Sequence, residues 1–306
     1  MIKNVLVLTS PREPDWIDRA SNEVSKGLHD FIATLNADGD IKFAVSTLDK
    51  LDFSIVDGIV SIFDNYTKKD LSAYDLVHFR NVMLFPDFAR AITLYMESRG
   101  RQAFEKVDVD TPEYGKLSQM ILFAQNSINV PNTWATWDVR NIRSLISQKK
   151  LTLPLVIKAN NGIKGRDNYL VRNNEQLDDV VTKSKGVRFV IQEFIPNDGD
   201  YRVLCFTDEA PLIFKRVAAE GSHLNNTSQG GSSYEIDVAD FDQKALTMSR
   251  TAAKLMRRRL AGVDTIQDNK TGNWYVLEVN ANPALSGGAL LDRKVTGYKK
   301  MIEEML

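Results

Sequence analysis

The sequence predicts an α/β protein: an open α/β domain at the amino end, followed by a part of mixed α+β character. Three observations predict it. Short apolar runs alternate with helical stretches through the first third, strand-loop-strand units flank polar turns in the middle, and the last third gathers several strands around one long helix and a hairpin. The 306 residues suffice for two or three layered units, divided here as 1–111, 112–186 and 187–306.

Taken in order, NVLVLTS is a first strand, a helix runs around Asp15 to Leu35, and IKFAVSTL, DGIVSIF and AYDLVHF are strands before a helix from Pro86 to Arg99. The loop after the first strand, TSPREPD, has no glycine, so it is not a dinucleotide-pyrophosphate fingerprint. The second division opens with a helix from Pro112 to Asn126, then NVPNTW, a helix from Asp138 to Lys149, strand PLVIKAN, loop NNGIKG and strand NYLVRN. The third holds VRFVIQEFI, DYRVLCF and PLIFKRV, a polar loop from Glu220 to Ser233, a long helix from Val238 to Leu260, a hairpin and a terminal helix. That loop is longer than a connection needs, which points to function.

Lys plus Arg (39) nearly cancel Asp plus Glu (40), so no global field attracts nucleic acid or an anionic membrane. Arg257 to Arg259 read as a solvated cluster opposing the negative end of the long helix. The lone Cys205 excludes an internal disulfide and reads as a small buried hydrophobe in DYRVLCF. No apolar run approaches the ~20 residues that span a bilayer. A reducing cytoplasm is the expected location, with neither nucleic acid nor membrane as partner, and a homo-oligomer is left open.

The stretch WYVLEVNANPAL carries the sharpest chemistry. Glu278 and Asn280 are two apart on a strand and so share a face. The polar run Asp268 to Asn273 reads as a turn back to AGVDTIQD, and its centre, Thr271, sets Asp264 opposite Glu278. Two carboxylates and an amide oxygen make a site for a hard divalent cation. Upstream, Lys158 ends an apolar strand just before Gly162 and Gly165, a pattern that suits a polyphosphate, although a strand-end lysine is more often solvated. Glu193 could accept from an adenine amino group, or belong to an ordinary hairpin with a satisfied carboxylate. Arg202 and Arg216 lie in otherwise apolar strands and need anionic partners, either phosphate or a structural carboxylate. His78 and Arg80 end AYDLVHFR, where open sheets bind ligands; a structural histidine and a surface arginine are the plainer reading.

In this order, Lys116, Lys158 with its glycine loop, QEFI, GDYR, KR, EGSHLNNTSQGG, GVD and LEVNANP resemble the ATP-grasp superfamily, and within it the RimK-type carboxylate-amine ligases. The resemblance runs from about Glu113 to the carboxyl terminus. It implies a pre-ATP-grasp α/β domain followed by a two-subdomain ATP-grasp fold. It implies further that Lys116 and Lys158 hold nucleotide phosphates, with Gly162 and Gly165 in the loop above them, that Glu193 and Phe194 form the adenine hinge, and that Asp200 touches the nucleotide. Asn226 falls at the phosphate end of the polar loop, Arg202 and Arg216 hold the transferring phosphoryl group, and Asp264, Glu278 and Asn280 hold Mg²⁺ or Mn²⁺. The implied reaction joins a small-molecule or peptide carboxylate to an amine through an acyl phosphate, releasing ADP and phosphate. A phosphotransferase, or a nucleotide-binding regulatory module without turnover, are the alternatives on the same scaffold. The chain departs from the RimK pattern at Leu224 and Gln229, where arginines are usual, and at Ala284, where glycine is common. Lost cations over the reacting end imply a substrate other than free glutamate.

Overall fold

The computed structural model describes residues 2–10, 26–82, 85–105, 115–136, 141–160, 167–183, 187–219, 231–285 and 290–306. The chain divides into two compact units, one of Met1–Glu113, Arg257–Arg259 and Asn282–Leu306, the other of Tyr114–Met256 and Leu260–Ala281.

In the first unit β1 (Lys3–Thr9) is followed by α1 (Lys26–Leu35), the described end of the helix expected around Asp15 to Leu35; residues 11–25 lie outside the description. β2 (Ile41–Thr47) pairs in parallel with β1. Next come β3 (Leu51–Val56), β4 (Ile59–Asp64) and the two-residue β5 (Lys69–Asp70), which form a separate antiparallel sheet. DGIVSIF is therefore not a strand of the parallel layer. The dipeptide Asp57-Gly58, at φ 50° and 77°, folds it back on Leu51–Val56 as a tight hairpin, the turn chemistry that an Asp-Gly pair favours. β6 (Leu76–Arg80), α2 (Pro86–Ser98) and β7 (Gln102–Phe104) complete a parallel sheet of order β2-β1-β6-β7. The central strand β1 is buried along Val5 to Leu8, the near-continuous apolar run of a strand covered on both faces. On the edge strand β2 the outward backbone groups of Phe43 are taken by Asn36, whose amide donates to the Phe43 carbonyl and accepts from its N–H, each at 2.8 Å.

The second unit begins with α3 (Lys116–Gln125). β8 (Thr133–Thr136), α4 (Asn141–Ser147), β9 (Leu155–Ala159), β10 (Asn168–Val171), α5 (Asn174–Lys183) and β11 (Phe189–Glu193) build an antiparallel sheet of order β10-β9-β11-β8. β11 joins this sheet, so the expected boundary at 186/187 cuts through it. β12 (Asp200–Phe206), β13 (Glu209–Val217) and β14 (Ser232–Ile236) precede α6 (Gln243–Leu255), and β15 (Leu260–Gln267) and β16 (Trp274–Asn280) close a second antiparallel sheet of order β14-β13-β12-β15-β16. Ser232 and Ser233, expected at the end of the polar loop, already belong to β14. Met120 and Phe123 of α3 and Ala245, Leu246, Ala252 and Ala253 of α6 pack in one core with Val203, Val263 and Val276 of the sheet. Cys205 is fully buried in that core, as expected, and burial pushes its thiol up to about 12.

Two sequence expectations fail at α6. The helix starts only after Asp242, whose carboxylate accepts from the Lys244 and Ala245 N–H groups, and stops at Leu255. Arg257 turns left-handed at φ 53°, which ends any helix, and Leu260 is already strand. Arg258 is accordingly no solvated helix-end cation: it is buried and donates to Glu105 at 2.5 Å.

The final helix α7 (Leu291–Glu303) belongs to the first unit, not to the carboxyl-terminal subdomain expected to run to residue 306. It buries Tyr298 against Phe31, ring centroids 5.3 Å apart. No helix among the described residues is long and apolar enough to cross a membrane.

Candidate active site

One face of the β12–β16 sheet collects most of the residues the sequence singles out, and strand register explains how. Arg202 on β12 stands opposite Asp264 on β15, which stands opposite Glu278 on β16. Asp200, two residues before Arg202 and hence on the same face, stands opposite Arg216 on β13. The hairpin symmetry about Thr271 is met by an irregularity. From Trp274 to Val276 the strands pair one residue out of that register, and Leu277 is inserted as a bulge before Glu278. Without it Asp264 would oppose Leu277, and the β16 side chains would face the wrong way.

The cross-strand pairs form an alternating chain of charge. Arg202 donates Nε and Nη2 to the two oxygens of Asp264, each at 2.8 Å. Arg216 donates to both oxygens of Asp200, at 2.7 and 2.6 Å, and its Nη2 lies 3.1 Å from Asp264 Oδ2. Burial alone would raise the Asp264 carboxyl, but Arg202 and Arg216 outweigh it and hold Asp264 at about 2. For Arg216 burial opposes the charge, and Asp264 and Asp200 overcome it and push the guanidinium higher. Burial dominates at Asp200, whose carboxyl is raised against the pull of Arg216. Bidentate guanidinium–carboxylate pairs in such a setting are geometrically demanding and expensive to break on one side only.

Two lysines join the cluster. Lys116 opens α3 and lies 3.4 Å from Glu278 Oε1. Its helix start is fixed by Asn160, whose carbonyl accepts from Lys116 N–H and whose side chain accepts from Leu117 N–H. Lys158, on β9, is buried. Burial lowers its ammonium to about 8; Glu278 works against that, Lys116 adds to it, and Asp264 and Asp200 also raise it. A buried strand-end lysine, not a solvated one, is what the structure contains.

Gln119 is a residue the sequence reading missed. β16 is an edge strand, and Val279 turns its N–H and carbonyl outward between Glu278 and Asn280. Gln119 answers both: its Oε1 accepts from Val279 N–H at 2.8 Å and its Nε2 donates to the carbonyl at 3.3 Å. This ties α3, and with it Lys116, to the strand of the acidic residues. The signal was the three-residue offset from Lys116, nearly one helical turn, but nothing in the sequence names its partner. Gly199, also missed, precedes Asp200 at φ 133°, and a Cβ there would lie 2.4 Å from the Arg216 carbonyl oxygen.

Other expectations separate from the cluster. Glu193 does not present a free carboxylate to a ligand: its oxygens accept from the Asn132 backbone and side-chain nitrogens, each at 2.9 Å, so the carboxylate is satisfied as in the plainer alternative, but not in a hairpin, because β11 and β12 lie in different sheets. Phe194 N–H donates to the Pro154 carbonyl at 3.3 Å. Gly162, Gly165, Leu224, Asn226 and Gln229 lie outside the described residues, and Ala284 is exposed. His78, buried, shares a 2.6 Å hydrogen bond through Nδ1 with Tyr298 Oη and stacks near Phe104, so it is a core histidine and not a substrate contact.

The donor set fits a hard cation. It offers two carboxylates and one amide oxygen, with Asp264 Oδ1 accepting from a single donor and Asn280 held by Nδ2 contacts of 3.3 Å to Gly262 O and Asp264 Oδ2. Among the described residues no group of three His, Cys, Asp or Glu side chains is placed to hold a metal, so a cation held here would draw its third protein oxygen from the Asn280 amide.

Two arginines and three carboxylates on one sheet face, with Lys116 of α3 and buried Lys158 of β9 beside them, suit a protein that binds a polyphosphate with a divalent metal. Residues 114–305 match the RimK-like ATP-grasp domain, and the chain belongs to that family. Among curated relatives, a "Probable alpha-L-glutamate ligase" of Shewanella loihica is 29% identical over 226 residues, covering 72% of this chain and 73% of the relative. One of Shewanella halifaxensis is 28% identical over 225 residues, and there the chain spans about half of the relative, 48% of its length against 68% of its own. Among solved structures, the macrocyclase MdnC bound with precursor peptide MdnA, from Microcystis aeruginosa, superposes with a TM-score of 0.70 at 12% identity over 98% of this chain and 99% of that one. The ATP-grasp ligase PsnB with a minimal precursor gives 0.68 at 16% over the whole of both chains. These likenesses establish the ATP-grasp fold.

Proposed function

We propose that this protein is an ATP-dependent ligase that joins a carboxylate to an amine through an acyl phosphate. The observation that carries the reading is the convergence of Lys116, Lys158, Arg202, Arg216, Asp264, Glu278 and Asn280 on one sheet face, within a chain of the RimK-like ATP-grasp family. Relatives named as glutamate ligases, and structural neighbours solved with precursor peptides, support a small-molecule or peptide carboxylate and amine as substrates.

Each residue has a definable task. Lys158 and Lys116 bind the nucleotide phosphates; a buried ammonium costs free energy until an anion meets it, so Lys158 is set to favour phosphate. Asp264, Glu278 and Asn280 would hold Mg²⁺, which a PsnB structure contains together with ADP, and the ion would supply charge neutralisation between the terminal phosphates. Asp200 keeps Arg216 aligned, and Asp264 does the same for Arg202, so both guanidinium groups are oriented before substrate arrives. In the reaction the substrate carboxylate oxygen attacks the γ-phosphorus and ADP leaves. The amine nitrogen then attacks the acyl carbon, the two arginines stabilise the oxyanion, and phosphate departs as the amine loses a proton. The test is a pooled screen of carboxylates and amines scored by ADP release and product mass. An amine-dependent product supports the ligase. A phosphorylated product formed without an amine would mark a phosphotransferase, and binding without turnover a regulatory module.

A further inference from the structure

Arg80 ends β6 at the carboxyl edge of the parallel sheet. Its Nη2 donates to the Pro283 carbonyl at 2.8 Å, while its buried Nη1 has no hydrogen-bond partner among the described residues. Burial lowers the guanidinium, and the Tyr298 and Glu105 groups offset this only in part. A buried donor arm of a permanent cation left unpaired is costly and calls for an explanation, of which a ligand that completes it is one.

Its place in the fold points the same way. The strand order β2-β1-β6-β7 reverses direction between β1 and β6, and in open parallel sheets ligands bind beyond the strand ends at that reversal. Thr9, the last residue of β1, is the register partner of Arg80. The residues that follow β6 and β7, Asn81 and Glu105, both adopt left-handed backbone at φ 55°. For a side chain with a Cβ that costs roughly 1–2 kcal/mol, and such strain collects at ligand sites. Asn81 is exposed, its Nδ2 3.5 Å from the Ser10 hydroxyl.

We propose that Arg80 Nη1, with the Asn81 amide and the Ser10 hydroxyl at the adjoining strand ends, forms a subsite for a single carboxylate group. The ligand is a monoanion because one guanidinium arm is open and the nearby Glu105 carboxylate, although paired with Arg258, repels a dianion such as phosphate. In the ligase reading this is a carboxylate of one substrate that is not the one activated; that assignment rests on the proposed function, whereas the binding itself does not.

The experiment needs no nucleotide, so it stands whether or not ligase turnover is found. Thermal unfolding of the full chain is followed with N-acetylglycine, with its neutral counterpart N-acetylglycinamide, and with chloride at equal ionic strength. The wild type should be stabilised by the acid over the amide and the salt. Arg80→Met should lose that difference altogether. Asn81→Gly, which relieves the left-handed strain and therefore folds, should need several-fold more acid for the same shift. A wild type that answers acid and amide alike, or an Arg80→Met protein that answers as the wild type does, overturns the proposal. Should Arg80→Met fail to fold, the wild-type comparison and Asn81→Gly decide it: an undiminished response in Asn81→Gly counts against the subsite.

Discussion

Replacing Lys158 by methionine should make the protein more stable while it destroys nucleotide binding. Lys158 is buried, and its ammonium is lowered from 10.5 to about 8, chiefly by burial. A difference of that size corresponds to about 3 kcal/mol of penalty on the charged form, at about 1.4 kcal/mol per unit. Because the folded value is the lower one, the unfolded chain binds more protons between about 8 and 10.5, and this residue's contribution to stability rises with pH across that window. Below 8 the penalty is fully present. Methionine fills nearly the same volume without a charge, so Lys158→Met should gain about 2–3 kcal/mol in denaturant unfolding at pH 7. The gain over the wild type should shrink toward zero as pH climbs to 10.5, a difference that cancels the other groups titrating there. Calorimetric affinity for ATP with Mg²⁺ should fall at least tenfold, the ~1.4 kcal/mol or more expected for a phosphate-bound ammonium. A variant less stable than the wild type at pH 7, or one whose advantage does not change with pH, would show that Lys158 is not a buried charge held ready for phosphate.

The two proposed acidic ligands should separate in stability, although replacing either should abolish turnover. Glu278→Gln removes a carboxylate that lies 3.4 Å from Lys116 and whose charge also supports buried Lys158, and should cost about 1 kcal/mol, whereas Asp264→Asn strands Arg202 and leaves Arg216 to Asp200 alone, and should cost about 3–5 kcal/mol, both read by urea unfolding beside ADP release. Gly199→Ala drives a Cβ to 2.4 Å from the Arg216 carbonyl oxygen at φ 133°, and should cost roughly 1–3 kcal/mol and slow turnover by misplacing Asp200; wild-type stability would contradict the strain assigned there. The resemblance to RimK-type ligases implies an arginine where this sequence has Leu224, so the wild type should use free glutamate poorly and Leu224→Arg should improve it relative to neutral amines; efficient glutamate ligation by the wild type, confirmed by product mass, would refute that.

What the sequence made legible at the site was whatever depends on neighbours along the chain. Glu278 and Asn280 on one face and Asp264 across a polar turn follow from the period of a strand and the centre of a hairpin, whereas Asp200 enters only through the family resemblance. The bulge at Leu277 was not legible, because an inserted leucine looks like any other apolar strand residue, yet it decides which β16 side chain meets Asp264. Gln119 is missed and Arg258 misread in the sequence for one reason: a polar residue's task is set by a partner distant in sequence, a backbone edge 160 residues away for one and Glu105 for the other, 153 residues away. For His78, whose strand end also suits a ligand contact, the plainer structural reading holds, but the partner that makes it so, Tyr298, lies 220 residues later and is named by nothing near His78 in the sequence.

That last separation also bears on the order in which the molecule can be made. The first unit draws its closing core residue from α7, whose Tyr298 is fully buried against Phe31 and His78. During synthesis the parallel sheet emerges long before α7 exists, so the amino-terminal unit waits, with apolar surface uncovered, while the whole second unit is translated and becomes free to fold ahead of it. The usual amino-first sequence of domain folding is expected to invert, and the loop to be closed spans most of the chain, although its entropy grows only as the logarithm of its length. Pulse proteolysis of stalled nascent chains would read this directly, the second unit acquiring protection before the first.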